Sequence, residues 1–378
     1  MIIIAEIGTA HSGSLEKARA LIDEAAQAGA DCVKFQWVYA NEILHPDTGF
    51  VQLPGGSVRL YDRFKALEVA PAFFKSCLDY AHQKGLLFAC SPFGLRSLQE
   101  LVAIEPDAIK IASPEVNHYP MLQAAAQYYG RIPIILSSGV SKLGDIEKAI
   151  SILQGSHATA GTVENTSTKL HPLTLLHCIT SYPAPESEYN VRCVDTLRKI
   201  FGIPTGISDH SLDEVLVPTL TTAMGGSMIE KHITLSRKTD GLDDPVALEG
   251  EQFAHMVHCV HQAEAVLRHF GDSAVTEIKR QLAEQYGAEK IETVLGTGIK
   301  CLAPSELANY GRTNRSLHYM RSLKKGQKIT AADIAVLRTE KVLTPGLSPE
   351  YLQTVMGTVL QQDVSSGEGV CWEHFISK

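Results

Sequence analysis

The chain's 378 residues suit one large α/β unit of about 250 residues with a smaller companion. An apolar share of 44%, a charged share of 20% and a mean hydropathy near zero exclude disordered, collagen-like and coiled-coil chains. The 34 basic and 42 acidic residues leave a net charge of −8, which argues against a nucleic-acid partner; beyond Gly311 the balance reverses to nine basic against six acidic. The eight cysteines are scattered with no close pair, so a reducing compartment is expected, without a disulfide framework or thiolate zinc site. The opening MIIIAEIGTA is too short to span a bilayer, lacks a basic leader and reaches Glu6 at once. It reads as a buried strand, and a cytoplasmic protein with no membrane contact is expected.

Short β-rich apolar runs alternate with helix-length segments through the first 270 residues, the pattern of βα units around a parallel sheet. Strands are expected at 2–7, 32–36, 86–91, 108–113, 133–138, 174–179, 204–208 and 227–233. The first helix begins at the capping Ser14, buries Leu15, Ala18, Leu21, Ile22 and Ala25, and stops at Gly29. Comparable segments follow near 71–84, 95–104, 120–129, 143–154, 190–201, 212–223 and 250–269. Eight units match a (β/α)8 TIM barrel, whereas a doubly wound sheet ordinarily has fewer strands and does not close. The irregular stretch 38–70 is too long for an ordinary βα turn and reads as an elaborated active-site loop or surface decoration. The Gly/Ser/Thr-rich stretch 155–172 precedes a strand and carries no assigned chemistry. The barrel is therefore expected over 1–270, a polar linker over 271–312 and a small, mostly-β domain over 313–378.

Barrel enzymes assemble their chemistry at the carboxyl ends of the strands. Glu6, Lys34 with Gln36, Ser91, Lys110 with Ser113, Ser137, His177, Ser208 to His210, and Glu230 with His232 all fall there. Isolated polar residues end many strands, but eight successive occurrences need a shared solvent-lined cavity. His210 and His232 follow consecutive strands and are the metal candidates: two imidazoles leave positions open for substrate oxygens and water. His255, His258 and His261 are a decoy, since they lie within the last barrel helix, on the barrel's outside. Lys34 and Lys110 can neutralise a phosphate or carboxylate, with Ser113, Ser137 and Ser208 as hydroxyl donors; a Schiff-base lysine is the rival reading. Glu6, Glu115 and Glu230 are the candidate acid/base groups. Tyr182 follows the sixth strand, facing a sugar or simply packing its loop. Neither a P-loop nor a dinucleotide fingerprint is present, so no nucleotide cofactor is implied.

The words AEIGTAHSG, DCVKFQ, FACSPFG, IKIASPE, PIILSSG, LLHCITSYPAP, GISDHSLD and GGSMIEKHITL, in order over residues 2–250, resemble the sialic acid synthase family. Its members condense phosphoenolpyruvate with an N-acetylated amino sugar. NRSLHYMRSLKKGQKITAADI resembles that family's small C-terminal SAF, or antifreeze-like, domain. The resemblance implies a TIM barrel with a SAF domain, in a homodimer that swaps the small domain. It implies a divalent metal, usually manganese, on His210 and His232, and phosphoenolpyruvate among Lys34, Lys110, Ser113, Ser137 and Ser208. It also implies that Glu6, Tyr182 and Arg315 lie near the amino sugar, Arg315 arriving from the partner subunit. Glu115 or Glu230 would activate water or exchange protons with the sugar.

The chain departs from the family's usual pattern where the sugar is expected. Ala10-His11-Ser12 replaces Asn-His-Asn, Thr180 replaces an Asn, Asn314-Arg315-Ser316 replaces Arg-Arg-Ser, and Leu242 and Asp244 stand where many relatives have Pro and His. The acceptor thus stays open between N-acetylmannosamine, di-N-acetylated hexoses and another aldose. A catalytically silent sugar-binding protein is the non-enzymatic alternative.

Overall fold

The computed structural model describes residues 1–53, 56–155, 170–239, 241–340 and 342–376, which leaves most of the 155–172 stretch outside the described residues. In chain order the strands are β1 (Ile2–Gly8), β2 (Cys32–Trp37), β3 (Phe50–Leu53), β4 (Gly56–Arg59), β5 (Leu87–Pro92), β6 (Ala108–Ile111), β7 (Ile134–Ser137), β8 (Leu173–Cys178), β9 (Thr205–Asp209), β10 (Met228–His232), β11 (Arg315–Tyr319) and β12 (Ile334–Arg338). β1, β2 and β5–β10 close a parallel barrel, with β10 pairing back onto β1. The expected closure is therefore present.

Side chains alternate along a strand, and the barrel interior shows it. Ile4, Cys32, Ala89, Ala108, Ile135, Leu176 and Met228 pack together as an apolar floor. Gly206 fills the remaining place because a Cβ there would stand 2.0 Å from the Met228 carbonyl oxygen. Two residues further along each strand, on the same inward face, come Glu6, Lys34, Ser91, Lys110, Ser137, Cys178, Ser208 and Glu230. The interior thus changes from apolar to ionic within one step of the pleat. Residues between these, including Ile3, Ala5, Val33, Phe35, Phe88, Ile109, Ile207 and Ile229, face outward into the main core beneath the helices. The helix Leu15–Gln27 shows how the outer layer is specified: Ser14 Oγ accepts the Lys17 N–H, and Ala18, Leu21, Ile22 and Ala25 are buried. Each large aliphatic side chain so buried contributes about 1.5–3 kcal/mol.

The segment read as a linker is built differently from expectation. Helices Ala274–Tyr286 and Ala288–Leu295 occupy half of it, and Ile278, Leu282, Ile291, Val294 and Leu295 join the barrel's core. The C-terminal part has its own core around Leu317, Tyr319, Ile334, Val355, Leu360 and Val370, with β11 antiparallel to β12. The 38–70 insertion meets it: Leu44 bridges to Arg338, the Val342 N–H donates to the Thr48 carbonyl, and His45 lies 3.3 Å from Ser366 Oγ. Among the described residues no helix is long and apolar enough to cross a membrane.

Candidate active site

Six of the expected residues meet at the barrel mouth. Lys34 Nζ stands 2.8 Å from Glu6 Oε2 and 3.8 Å from Glu230 Oε1, while Lys110 Nζ lies 3.2 Å from that same Glu230 oxygen. Ser208 Oγ donates to Glu230 Oε1 at 2.9 Å, and Gln36 Nε2 donates to Glu6 Oε1 at 2.8 Å. Ser137 Oγ and Glu230 Oε2 are buried without a hydrogen-bond partner among the described residues. Two lysines and two carboxylates balance charge in a buried place, yet unused hydrogen-bonding capacity remains.

The environments of the two carboxylates differ. Burial raises the pKa of Glu6, opposed by Lys34 and reinforced by the facing Glu230. Burial acts the same way on Glu230, but Lys110, Lys34 and Ser208 outweigh it and bring it down to about 2. Burial also lowers Lys110, whereas for Lys34 the two carboxylates overcome burial and raise it. The two neighbouring carboxylates are thus shifted in opposite directions.

His210 and His232 flank this cluster, their ring centroids 5.6 Å apart. His210 Nδ1 donates to the Ile179 carbonyl at 2.8 Å, so its Nε2 is the atom free to bind a cation. Burial holds His232 neutral, with a pKa of about 4, against the pull of Asp243 3.9 Å away. Burial likewise opposes charge on His210, but Cys178, 3.9 Å from Nδ1, and the Ile179 carbonyl raise it to about 9. Two imidazoles could hold a divalent transition ion and would leave positions open for substrate and water. Among the described residues no group of three or more His, Cys, Asp or Glu gathers for a metal, and His255, His258 and His261 lie exposed on the helix Gly250–Phe270. Tyr182, 49% exposed, lies over His210 with ring centroids 4.2 Å apart and planes tilted by 30°, and forms an edge of the mouth.

Ser113, Glu115 and Arg315 have other described partners. Ser113 Oγ accepts the Gly139 N–H at 3.0 Å, tying the loops after β6 and β7 together. Glu115 is fully buried against Arg315 Nε at 2.5 Å and Arg338 at 2.7 Å. Arg315 also donates to the Phe93 and Glu42 carbonyls, and its own backbone is paired by Asn117. In this single chain, Arg315 therefore reaches the barrel of the same chain and anchors the small domain. Burial would raise Glu115, but the two arginines hold it below the usual carboxylate range.

Sequence reasoning missed the groups that support the mouth from behind. Lys231 and Asp209, both fully buried, pair at 2.6 Å on the outward side of the two histidine-bearing strands. Tyr189 Oη accepts the His210 N–H at 2.6 Å. Lys231 and Asp209 alternate with the recognised residues in EKH and SDH, a signal that places them on the outer face but names no partner.

Comparisons with known proteins agree with this architecture. A model of the NeuB family matches residues 21–271, and one of the SAF domain matches residues 314–376. The N,N'-diacetyllegionaminic acid synthase of Legionella pneumophila is 29% identical over 377 residues, 98% of this chain and 94% of that protein. The crystal structure of spore coat polysaccharide biosynthesis protein SpsE from Bacillus subtilis matches with a TM-score of 0.80 at 27% identity, over 100% of this chain and 95% of that one. The N-acetylneuraminic acid synthetase of Leptospira borgpetersenii, solved with citrate, gives a TM-score of 0.61 at 29% identity, over 75% of this chain and 92% of that one. The closed barrel, the small domain that follows it in the chain and a family match spanning most of the chain lead to one assignment: this protein belongs to the NeuB family and carries a SAF domain at its C-terminal end.

Proposed function

We propose that the protein condenses phosphoenolpyruvate with an N-acetylated amino-sugar aldehyde, forming a nonulosonic acid and inorganic phosphate. The observation that carries this reading is the ionic layer of Lys34, Lys110, Ser208 and Glu230 directly beside the His210–His232 pair. The names of the relatives support the same product class. In balance, C3 of phosphoenolpyruvate bonds to the aldehyde carbon, whose oxygen takes a proton; water adds at C2, and the C2–O bond to phosphate breaks.

Lys34 and Lys110 would exchange their internal carboxylate partners for the anionic groups of phosphoenolpyruvate, with Ser113, Ser137 and Ser208 donating hydroxyls. Glu6 is suited to pass a proton to the sugar oxygen, and the unpartnered Oε2 of Glu230 to accept one from water. Tyr182 would face the sugar, while Glu115 and Arg315 hold the small domain over the mouth. His210 and His232 would hold a divalent cation, manganese by family resemblance, which when bound polarises the aldehyde carbonyl. The protein would act as a homodimer in which the small domains are exchanged.

Replacing His210 or His232 with Ala should leave a folded protein whose metal-dependent phosphate release falls at least about a thousandfold. Mixing His210→Ala subunits with Arg315→Ala subunits should restore part of the activity. Full turnover by both histidine variants after metal stripping would refute the site, and no restoration on mixing would refute the exchange.

A further inference from the structure

We propose that Glu306 and Asn314, outside the barrel, are positioning residues that hold the loops after β7 and β8 in the shape the phosphoenolpyruvate side of the mouth requires. The proposal rests on the reading of that site given above. Glu306 is 1% exposed, and its described partners are all backbone N–H groups. Its Oε1 accepts from Val140 and from Thr180, each at 2.7 Å, and its Oε2 accepts from Ala303 at 3.1 Å. One carboxylate oxygen therefore joins the loop that follows Ser137 to the loop that carries Tyr182.

Val140 shows what this clamp resists. It is fully buried with φ +41°, a left-handed conformation that is unfavourable for a β-branched side chain and persists only where the surroundings enforce it. Glu306 takes its N–H, and Asn314 Nδ2 donates to its carbonyl at 3.1 Å, so both sides of the strained residue are held by the segment leading into the small domain. The adjacent Gly139 is tightly enclosed: a Cβ there would stand 2.1 Å from Thr180 Oγ1 and 3.0 Å from Ser113 Oγ, so a larger residue would push the Thr180 side chain aside. Turning Val140 out of its conformation would displace Gly139, whose N–H is bonded to Ser113, and with it the neighbouring Ser137 hydroxyl. The arrangement acts through Val140 and Thr180, without Glu306 touching the substrate.

The test combines hydrogen exchange with kinetics on Glu306→Ala, Glu306→Gln, Val140→Gly and Glu306→Ala/Val140→Gly in the full chain. Glu306→Ala should speed exchange in segments 138–142 and 179–182 and raise KM for phosphoenolpyruvate about tenfold, with kcat within about threefold of the parent. Glu306→Gln, which keeps a carbonyl acceptor, should show smaller changes of the same sign and supplies both readouts if the alanine variant does not fold. Glycine adopts the φ of residue 140 freely, so the double variant should recover at least half of the logarithmic KM loss. Unchanged exchange in the folded single variants, or losses that simply add in the double variant, would overturn the proposal. The exchange measurement is independent of the reaction: loosened loops would uphold the clamp, and unaltered ones refute it, even in a protein that turned over no sugar.

Discussion

Lys231 and Asp209 do not face the mouth, yet they fix the backbone of the two histidines that do. Lys231 lies between Glu230 and His232, and Asp209 between Ser208 and His210, so their side chains leave the opposite face of the sheet and meet there. Lys231 Nζ also donates to the Ser211 carbonyl at 2.7 Å, just past His210. Breaking a buried pair strands the remaining charge, so Lys231→Met should cost about 3–5 kcal/mol in denaturant unfolding, and adding Asp209→Leu should recover part of it. A loss below about 1 kcal/mol, the size of a typical exposed pair, would contradict this account. The histidines and Glu230 were legible because they end strands in a recognisable pattern. Lys231 and Asp209 were not, because their pairing depends on β9 and β10 lying side by side, which the order of residues alone does not state.

Among elements, the barrel strands were the most legible part of the chain. Apolar runs bounded by turn residues predict eight strands, and each is found within a few residues of its expected place. The two helices after residue 273 were hidden by their polar composition. Ala274, Ile278 and Leu282 form a stripe one residue wide at four-residue spacing, too narrow to stand out among charged neighbours. The junction of the small domain was equally illegible, since Glu115 meets Arg315 and Arg338 across some 200 residues of chain. Glu115 has a lowered pKa in the folded protein. Its contribution is therefore complete above the ordinary carboxylate value and is lost as pH falls towards the folded-state value. The melting temperature of the parent should accordingly drop between about pH 5 and pH 3 by more than that of Glu115→Gln, which has no charge to lose. Equal slopes would mean that the junction does not depend on this carboxylate.

At the scale of the whole molecule, an apolar floor, an ionic layer and a pair of histidines are stacked along one barrel axis, and the small domain is fastened beside the opening. The layering follows from strand alternation once the barrel closes; the fastening follows from buried arginine–carboxylate contacts. Neither specifies the sugar, because Ala10, Ser12 and Thr180 offer only small or hydroxyl side chains where the family resemblance implies amides. The most direct test is phosphate release from phosphoenolpyruvate in the presence of N-acetylmannosamine and a series of di-N-acetylated hexoses, followed by the mass of the product. The account predicts release that requires both acceptor and divalent cation, with one product equal in mass to an acceptor plus a pyruvate unit. Release that is independent of acceptor, or no release with any amino sugar in the presence of metal, would contradict it.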